Sequence, residues 1–206
     1  NGIALWKQEP RRPGGTMDEP VTPRFSDTWK TLAAIPGFKR LLTVVGLGTA
    51  AFNMQDILLE PFGGQVFGLP VGETTMLMAA LAGGMLIGFF IAERLLNRAV
   101  EAMRVIGLGL VIGIIAFAGV IAAPLIGSLG LFRIASLTVG IGAGLFSVGT
   151  LTAMMGCGTA KMSGILLGSW GAVQATVAGL SIAFSGAARD IIASLARAGR
   201  FGEALS

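Results

Sequence analysis

An all-α, polytopic bundle of transmembrane helices is the fold class this sequence predicts, on three observations. Of its 206 residues 53% are hydrophobic and only 13% are charged, against roughly 25% charged in soluble domains. Five apolar runs each come close to the roughly 20 residues that a helix needs to cross a bilayer. Most of the 32 glycines lie inside those runs, where small residues let helices approach closely in lipid. A mean hydropathy of +0.79 agrees. Helices are the expected form because a helix satisfies its own backbone groups in lipid.

Residues 1–40 are polar and hold five of the eight prolines. Pro10, Pro13, Pro20, Pro23 and the Gly14-Gly15 pair read as a flexible cytoplasmic linker. Within it, Ser26 to Ile35 is expected to form a short juxtamembrane helix from a Ser26/Asp27 cap, with Trp29, Leu32 and Ala33 on its apolar side. The spans follow over residues 41–185: Leu41 to Leu59, Thr74 to Ala92 and on towards Leu96, Val105 to Ala123, Leu131 to Met155, and Ser163 to Ser185. Pro61 and Pro124 are taken as stops. Residues 186–206 are expected to lie outside the membrane or along its surface, with Ile191, Ile192, Leu195 and Phe201 as an interfacial face.

Charge orients these spans. Seven of the fifteen basic residues precede Leu41, which places the N-terminal arm in the cytoplasm. The Glu60–Glu73 connection has no basic residue and is placed outside. Arg94, Arg98 and Arg104 put the next connection inside. The uncharged Pro124–Gly130 turn fits outside, and Lys161 puts the last connection inside. Arg189, Arg197 and Arg200 run against this trend. The basic residues flank spans and form no dense patch, so the net charge of +4 does not point to nucleic acid.

Several chemistries are missing. There is no histidine, which removes the commonest metal ligand and general base. Cys157 is the single cysteine; it has no partner at metal-site spacing and reads as inert. No nucleophile–base pair, Walker loop or zinc pattern is present, so neither a catalytic nor a metal site is expected. The chain opens on Asn1 without a signal pattern and reads as part of a longer protein.

Polar side chains in the spans are the candidate site. Thr49, Asn53, Asp56 and Glu60 are spaced by four, three and four, so they share one helix face; Gln55 serves another side. Ionisable groups in a span are costly and tend to face protein or water. The alternative is a cap, with Glu60-Pro61 ending the helix at the interface. In the fifth span Trp170, Gln174, Ser181 and Ser185 share a face. In the fourth, Gly140 and Gly144 form a Gly-x-x-x-Gly pair joined by Gly142, and Gly109 is expected to matter less to packing than this pair. Arg133 either neutralises Asp56 or Glu60 or snorkels to the interface. The methionines in the runs read as packing.

Three stretches carry a resemblance. Gln55-Asp56-Ile57-Leu58-Leu59-Glu60-Pro61-Phe62-Gly63-Gly64, with Val66-Phe67-Gly68-Leu69-Pro70-Val71-Gly72 after it, resembles the signature of the PucC-type bacteriochlorophyll-delivery family. Ala4-Leu5-Trp6-Lys7-Gln8-Glu9 is similar to that family's mid-chain linker. Gly168-Ser169-Trp170-Gly171-Ala172-Val173-Gln174-Ala175-Thr176 is similar to its penultimate span.

The resemblance implies a twelve-span, major facilitator-like fold whose C-terminal half starts here, with spans seven to eleven present. It implies a non-enzymatic assembly factor for photosynthetic light-harvesting complexes. Its ligand would be bacteriochlorophyll and its partners antenna polypeptides, in a bacterial inner or intracytoplasmic membrane. Gly88-Phe89-Phe90-Ile91-Ala92-Glu93-Arg94 only loosely follows the transporter loop motif. Asn53, Gln55, Asp56 and Glu60 then become pigment- or partner-binding candidates, with Trp170 for ring stacking and Gln174 as an oxygen ligand for magnesium. The competing reading of Gln174 is a hydrogen bond to a neighbouring helix. Transport of an amphipathic substrate, or a permanent structural role in a photosynthetic complex, are the alternative functions.

Overall fold

The computed structural model describes residues 29, 32–159 and 162–197, apart from the side chains at 55–58, 60–62, 65, 66, 71, 192, 193 and 195–197. The linker reading of residues 1–28, the Ser26/Asp27 cap, Lys161 and residues 198–206 lie outside the described residues. Five helices follow in order: α1 (Phe38–Phe67), α2 (Val71–Asn97), α3 (Ala102–Ile126), α4 (Leu129–Gly156) and α5 (Ser163–Arg197). Four stretches are long and apolar enough to cross a membrane: Gly72–Asn97, Ala102–Ile126, Leu129–Gly156 and Ser163–Ile191. The chain is an all-α, multi-pass membrane protein.

The helices run longer than the sequence suggests, and in each case packing or propensity explains it. The backbone of α1 passes Pro61 and continues to Phe67. A proline removes one ladder bond, and here tertiary contacts compensate. Leu59 is buried with Leu77 and Phe132, and the Phe67 and Phe132 rings lie 5.1 Å apart. The connection to α2 is therefore only Gly68 to Pro70, not Glu60 to Glu73.

α3 also keeps Pro124 inside its last turn. It closes at Gly127 in the left-handed region, φ 67°. There the Ser128 N–H reaches the Ala123 carbonyl at 3.0 Å, a Schellman closure that favours glycine. Ser128 then caps α4, its Oγ accepting from the Leu131 N–H at 3.2 Å.

α5 passes Gly186 without a break to Arg197. The Ala-Ala-Arg-Asp-Ile-Ile-Ala stretch favours helix, so no separate interfacial helix begins there. At the other end, Leu32 and Phe38 are buried and anchor the residues before α1 to the core. Trp29 sets its ring edge against Phe38 at 6.2 Å.

α4 is the centre of the bundle: 61% of its span is buried, against 28% or less for the other three spans measured. It packs along α2 on one side and α3 on the other, while α1 packs along α5 and also touches α2 and α4. Glycines make both α4 contacts. A Cβ on Gly140 or Gly144 would run into the α2 backbone at Leu81 and Met85, and one on Gly84 or Gly88 of α2 would strike α4 at Leu137 and Ile141. Gly142 faces the other way, and a Cβ there would come within 2.8 Å of the Gly109 carbonyl on α3. A Cβ on Gly109 would meet the Gly142 carbonyl at 2.8 Å, a less severe approach than a Cβ on Gly140 or Gly144 would make to the α2 carbonyls. Gly109 itself begins a Gly-x-x-x-Gly spacing with Gly113, and a Cβ on Gly142 would meet both.

Candidate functional site: a polar-rimmed cavity between α1, α2, α4 and α5

Phe146 of α4 sets the site's geometry. Its ring lies over Gly48 of α1, where a Cβ would strike it. It also meets Phe52 at 5.6 Å between centroids. Phe52 in turn reaches Phe117 of α3 at 6.2 Å and covers Gly113. This aromatic wedge fixes the rotation of α1, so the neighbouring Thr49 and Asn53 face a cavity of about 390 Å³.

The cavity floor is Thr49, Phe52, Leu81, Ala143 and Phe146, all buried. The rim is half-buried and polar, with Asn53 from α1, Ser147 from α4 and Gln174 from α5. Gly171, Ala175 and Ala178 complete the α5 wall. No lining residue named here is ionisable.

Hydrogen bonds distinguish the polar groups. Asn53 Nδ2 donates to the Thr49 carbonyl at 2.8 Å, which leaves its amide oxygen as the group to offer a ligand. The Thr49 hydroxyl is buried, with no hydrogen-bond partner. Other helix hydroxyls bond back to carbonyls on their own helix: Thr43 to Lys39, Ser136 to Phe132, Thr138 to Ile134 and Ser169 to Ile165. Among the described residues, no hydrogen bond joins Gln174 to another helix, and its face of α5 is part of the cavity wall.

Trp170 is placed differently. Its Nε1–H donates to Thr150 Oγ1 at 3.2 Å, and Thr150 Oγ1 donates to the Ser147 carbonyl at 3.0 Å. The indole packs against the main core beside the cavity and is absent from the lining. It ties α5 to α4 and is not presented as a stacking platform there. Ser181 and Ser185 are buried further along α5. They follow Val177, which lies over Gly46 of α1, at intervals of four, and the Ser185 hydroxyl has no partner.

Gln55, Asp56 and Glu60 lie on the α1 backbone, and their side chains are outside the described residues. Arg133 is not a free snorkelling anchor: it forms an ion pair with Glu73 at 2.7 Å, while its other expected partners, Asp56 and Glu60, have side chains outside the described residues. The sequence signal for this pair was weak: one acid at the start of α2 and one base in the first turns of α4. Thr49 belongs to the polar stripe read from the sequence, whereas Ser147 completes the site without having been singled out as a binding group. Only its place in one lining with Gln174 distinguishes it from an ordinary helix hydroxyl. Cys157 follows the end of α4, where burial pushes its thiol pKa up.

The comparisons with known proteins agree on one family. The family described as PUCC protein matches residues 1–205. A Rhodobacter capsulatus protein described as an uncharacterized protein in the puhA-bchM intergenic region is 50% identical over 98% of this chain and 43% of its own length. Protein PucC of Cereibacter sphaeroides is 42% identical over 95% of this chain and 42% of its own. The bacteriochlorophyll synthase 44.5 kDa chain of Rhodobacter capsulatus is 30% identical over 92% of this chain and 45% of its own. The chain thus spans less than half the length of these relatives. No solved structure matches it.

Proposed function

Because the chain belongs to the PUCC protein family, we propose that it is part of a membrane assembly factor for photosynthetic light-harvesting complexes. In this reading it holds bacteriochlorophyll without covalent chemistry, passes it to antenna polypeptides and catalyses no reaction. It works in a bacterial inner or intracytoplasmic membrane.

The observation that carries this reading is the cavity between α1, α2, α4 and α5, apolar at its floor and lined by neutral oxygen groups at its rim. The residues fit the pigment chemically. Asn53 and Gln174 supply amide oxygens, and magnesium prefers oxygen ligands. The bound pigment supplies the light-absorbing ring and that magnesium. A volume of about 390 Å³ is near the lower end of the roughly 300–1,000 Å³ of small-molecule sites. The cavity takes one edge of a large pigment and leaves the rest outside, which suits a carrier that must release its cargo. A proton-coupled transporter would want a titratable group at the site, and the described lining residues include none.

The test is an absorption spectrum of the full-length protein purified from phototrophically grown cells, with its pigment content and co-eluting polypeptides. Near-stoichiometric bacteriochlorophyll with antenna polypeptides is expected. A colourless protein that also fails to take up added pigment overturns the reading.

A further inference from the structure

The Thr49 hydroxyl is, with that of Ser185, one of two buried side-chain polar groups without a hydrogen-bond partner among the described residues. It sits at the floor of the cavity, 5% exposed, and finds no acceptor or donor. A buried hydroxyl left unpaired gives up its bonds to water and gains none in return. Its usual remedy on a helix, a bond to the carbonyl four residues back, is used by Thr43, Ser136, Thr138 and Ser169 and not here. Around it stand Phe52, Leu81, Ala143 and Phe146, none of which can answer it. Asn53, whose side-chain amide donates to the Thr49 carbonyl, makes no bond to this hydroxyl.

We propose that the Thr49 hydroxyl donates a hydrogen bond to a carbonyl oxygen on an uncharged, largely apolar ligand seated in this cavity. Neutrality follows from the lining. A charge brought into it would lose its hydration and meet no counter-charge among the described lining residues, a cost far above that of any neutral group. The need for an acceptor follows from the O–H, and the apolar body from the aromatic and aliphatic floor. Two molecules bring this chemistry to a photosynthetic membrane: a tetrapyrrole pigment through a ring or ester carbonyl, and a lipid through its acyl ester. The inference rests on the cargo reading above for the identity of the ligand, and not for the contact itself.

The experiment uses detergent-solubilised full-length protein with Thr49 intact, Thr49→Val and Thr49→Ser. Valine keeps the shape of threonine and removes the donor; serine keeps the donor. One arm titrates added bacteriochlorophyll a and records the carbonyl stretch of the bound pigment by resonance Raman. The other reconstitutes the protein in phosphatidylcholine vesicles labelled with ¹³C at the ester carbonyl and records the infrared difference spectrum. Thr49→Val is expected to weaken binding by about two- to tenfold, the range of a single neutral hydrogen bond. It should also move the bound carbonyl to higher wavenumber, and Thr49→Ser should restore both. A shift confined to the lipid arm supports the contact and removes the pigment as its occupant. Unchanged carbonyl frequencies in both arms, or no binding by the intact protein in either, overturn the proposal.

Discussion

Arg133 near the start of α4 donates through Nη2 to Glu73 Oε2 in the first turn of α2 at 2.7 Å, across sixty positions of sequence. The pair joins the same two helices that meet through Gly84, Gly88, Gly140 and Gly144, at the end beside the Gly68–Pro70 connection. Its side chains are 47% and 40% exposed, so water screens it. Such pairs contribute about 0.2–1 kcal/mol. A double-mutant cycle of Arg133→Gln and Glu73→Gln, read by thermal unfolding of the full-length protein in detergent, should give a coupling in that range. A coupling several times larger would mean that the pair carries the α2–α4 contact, and the glycines do not.

The glycine contacts separate sharply by position. At Gly140 and Gly84 even a methyl group would strike backbone, which cannot move aside as a side chain can. Gly140→Ala and Gly84→Ala should each cost about 1–3 kcal/mol, the usual penalty of overpacking. Gly107→Ala on α3 meets nothing within 4 Å and should be neutral or better. The measurement is the yield and melting temperature of monodisperse protein. Equal loss at all three positions would contradict the α2–α4 interface described here.

Ala99 closes α2 with φ 59°, and the Val100 N–H reaches the Leu95 carbonyl at 3.1 Å. The turn has the geometry of a glycine closure with a side chain in the way, and the left-handed region costs an L-residue about 1–2 kcal/mol. Ala99→Gly should therefore raise the melting temperature, with a stability gain of up to about 1 kcal/mol once glycine's extra unfolded-state entropy is subtracted. A lower melting temperature would show that the turn is not strained.

Burial raises the pKa of the Cys157 thiol, so near neutral pH less of it is thiolate than in a free thiol. Only the thiolate attacks electrophiles. Alkylation by iodoacetamide should be slower than that of glutathione at pH 7.5, and its rate should keep climbing at pH values where glutathione has levelled off. As the only cysteine in the chain, it makes the assay unambiguous in a full-length protein whose other cysteines are replaced. Reaction at neutral pH as fast as glutathione would contradict the shift.

The acidic stripe of α1 is tested by charge at constant shape. Asp56→Asn with Glu60→Gln preserves size and much of the hydrogen bonding, so a mere cap should survive it. A site acting through charge should not. The double variant is expected to lower near-infrared antenna absorbance in a complemented strain while an immunoblot shows normal membrane content. Normal absorbance at normal protein level would remove these carboxylates from the site.

The site was half legible in the sequence. The spacing of Thr49 and Asn53 put them on one face, and Gln174 stood out as an amide in an apolar run. Nothing in the spacing said that these two faces meet, or that Trp170, four residues from Gln174, turns to Thr150 instead. A helical period gives each residue's angle on its own axis. It carries no information on the rotation of that axis against another, which here Phe146 settles by packing on Gly48.

What the sequence by itself determined is local: five helices, because a backbone in lipid must bond to itself, and the faces on which their polar residues lie. It could not set the helix ends, because the stops assumed at Pro61 and Pro124 weigh one lost hydrogen bond against contacts made elsewhere. The tertiary structure decided the partners. Gly142 seats on Gly109 and Arg133 finds Glu73, while Thr49 and Gln174 come to share a cavity. The physical reason lies in the solvent. Lipid tails are as apolar as the helix surfaces, so hydrophobicity cannot choose which helices meet, and the choice falls to close packing and polar contacts. Those depend on two surfaces at once, and one surface read alone does not contain the other.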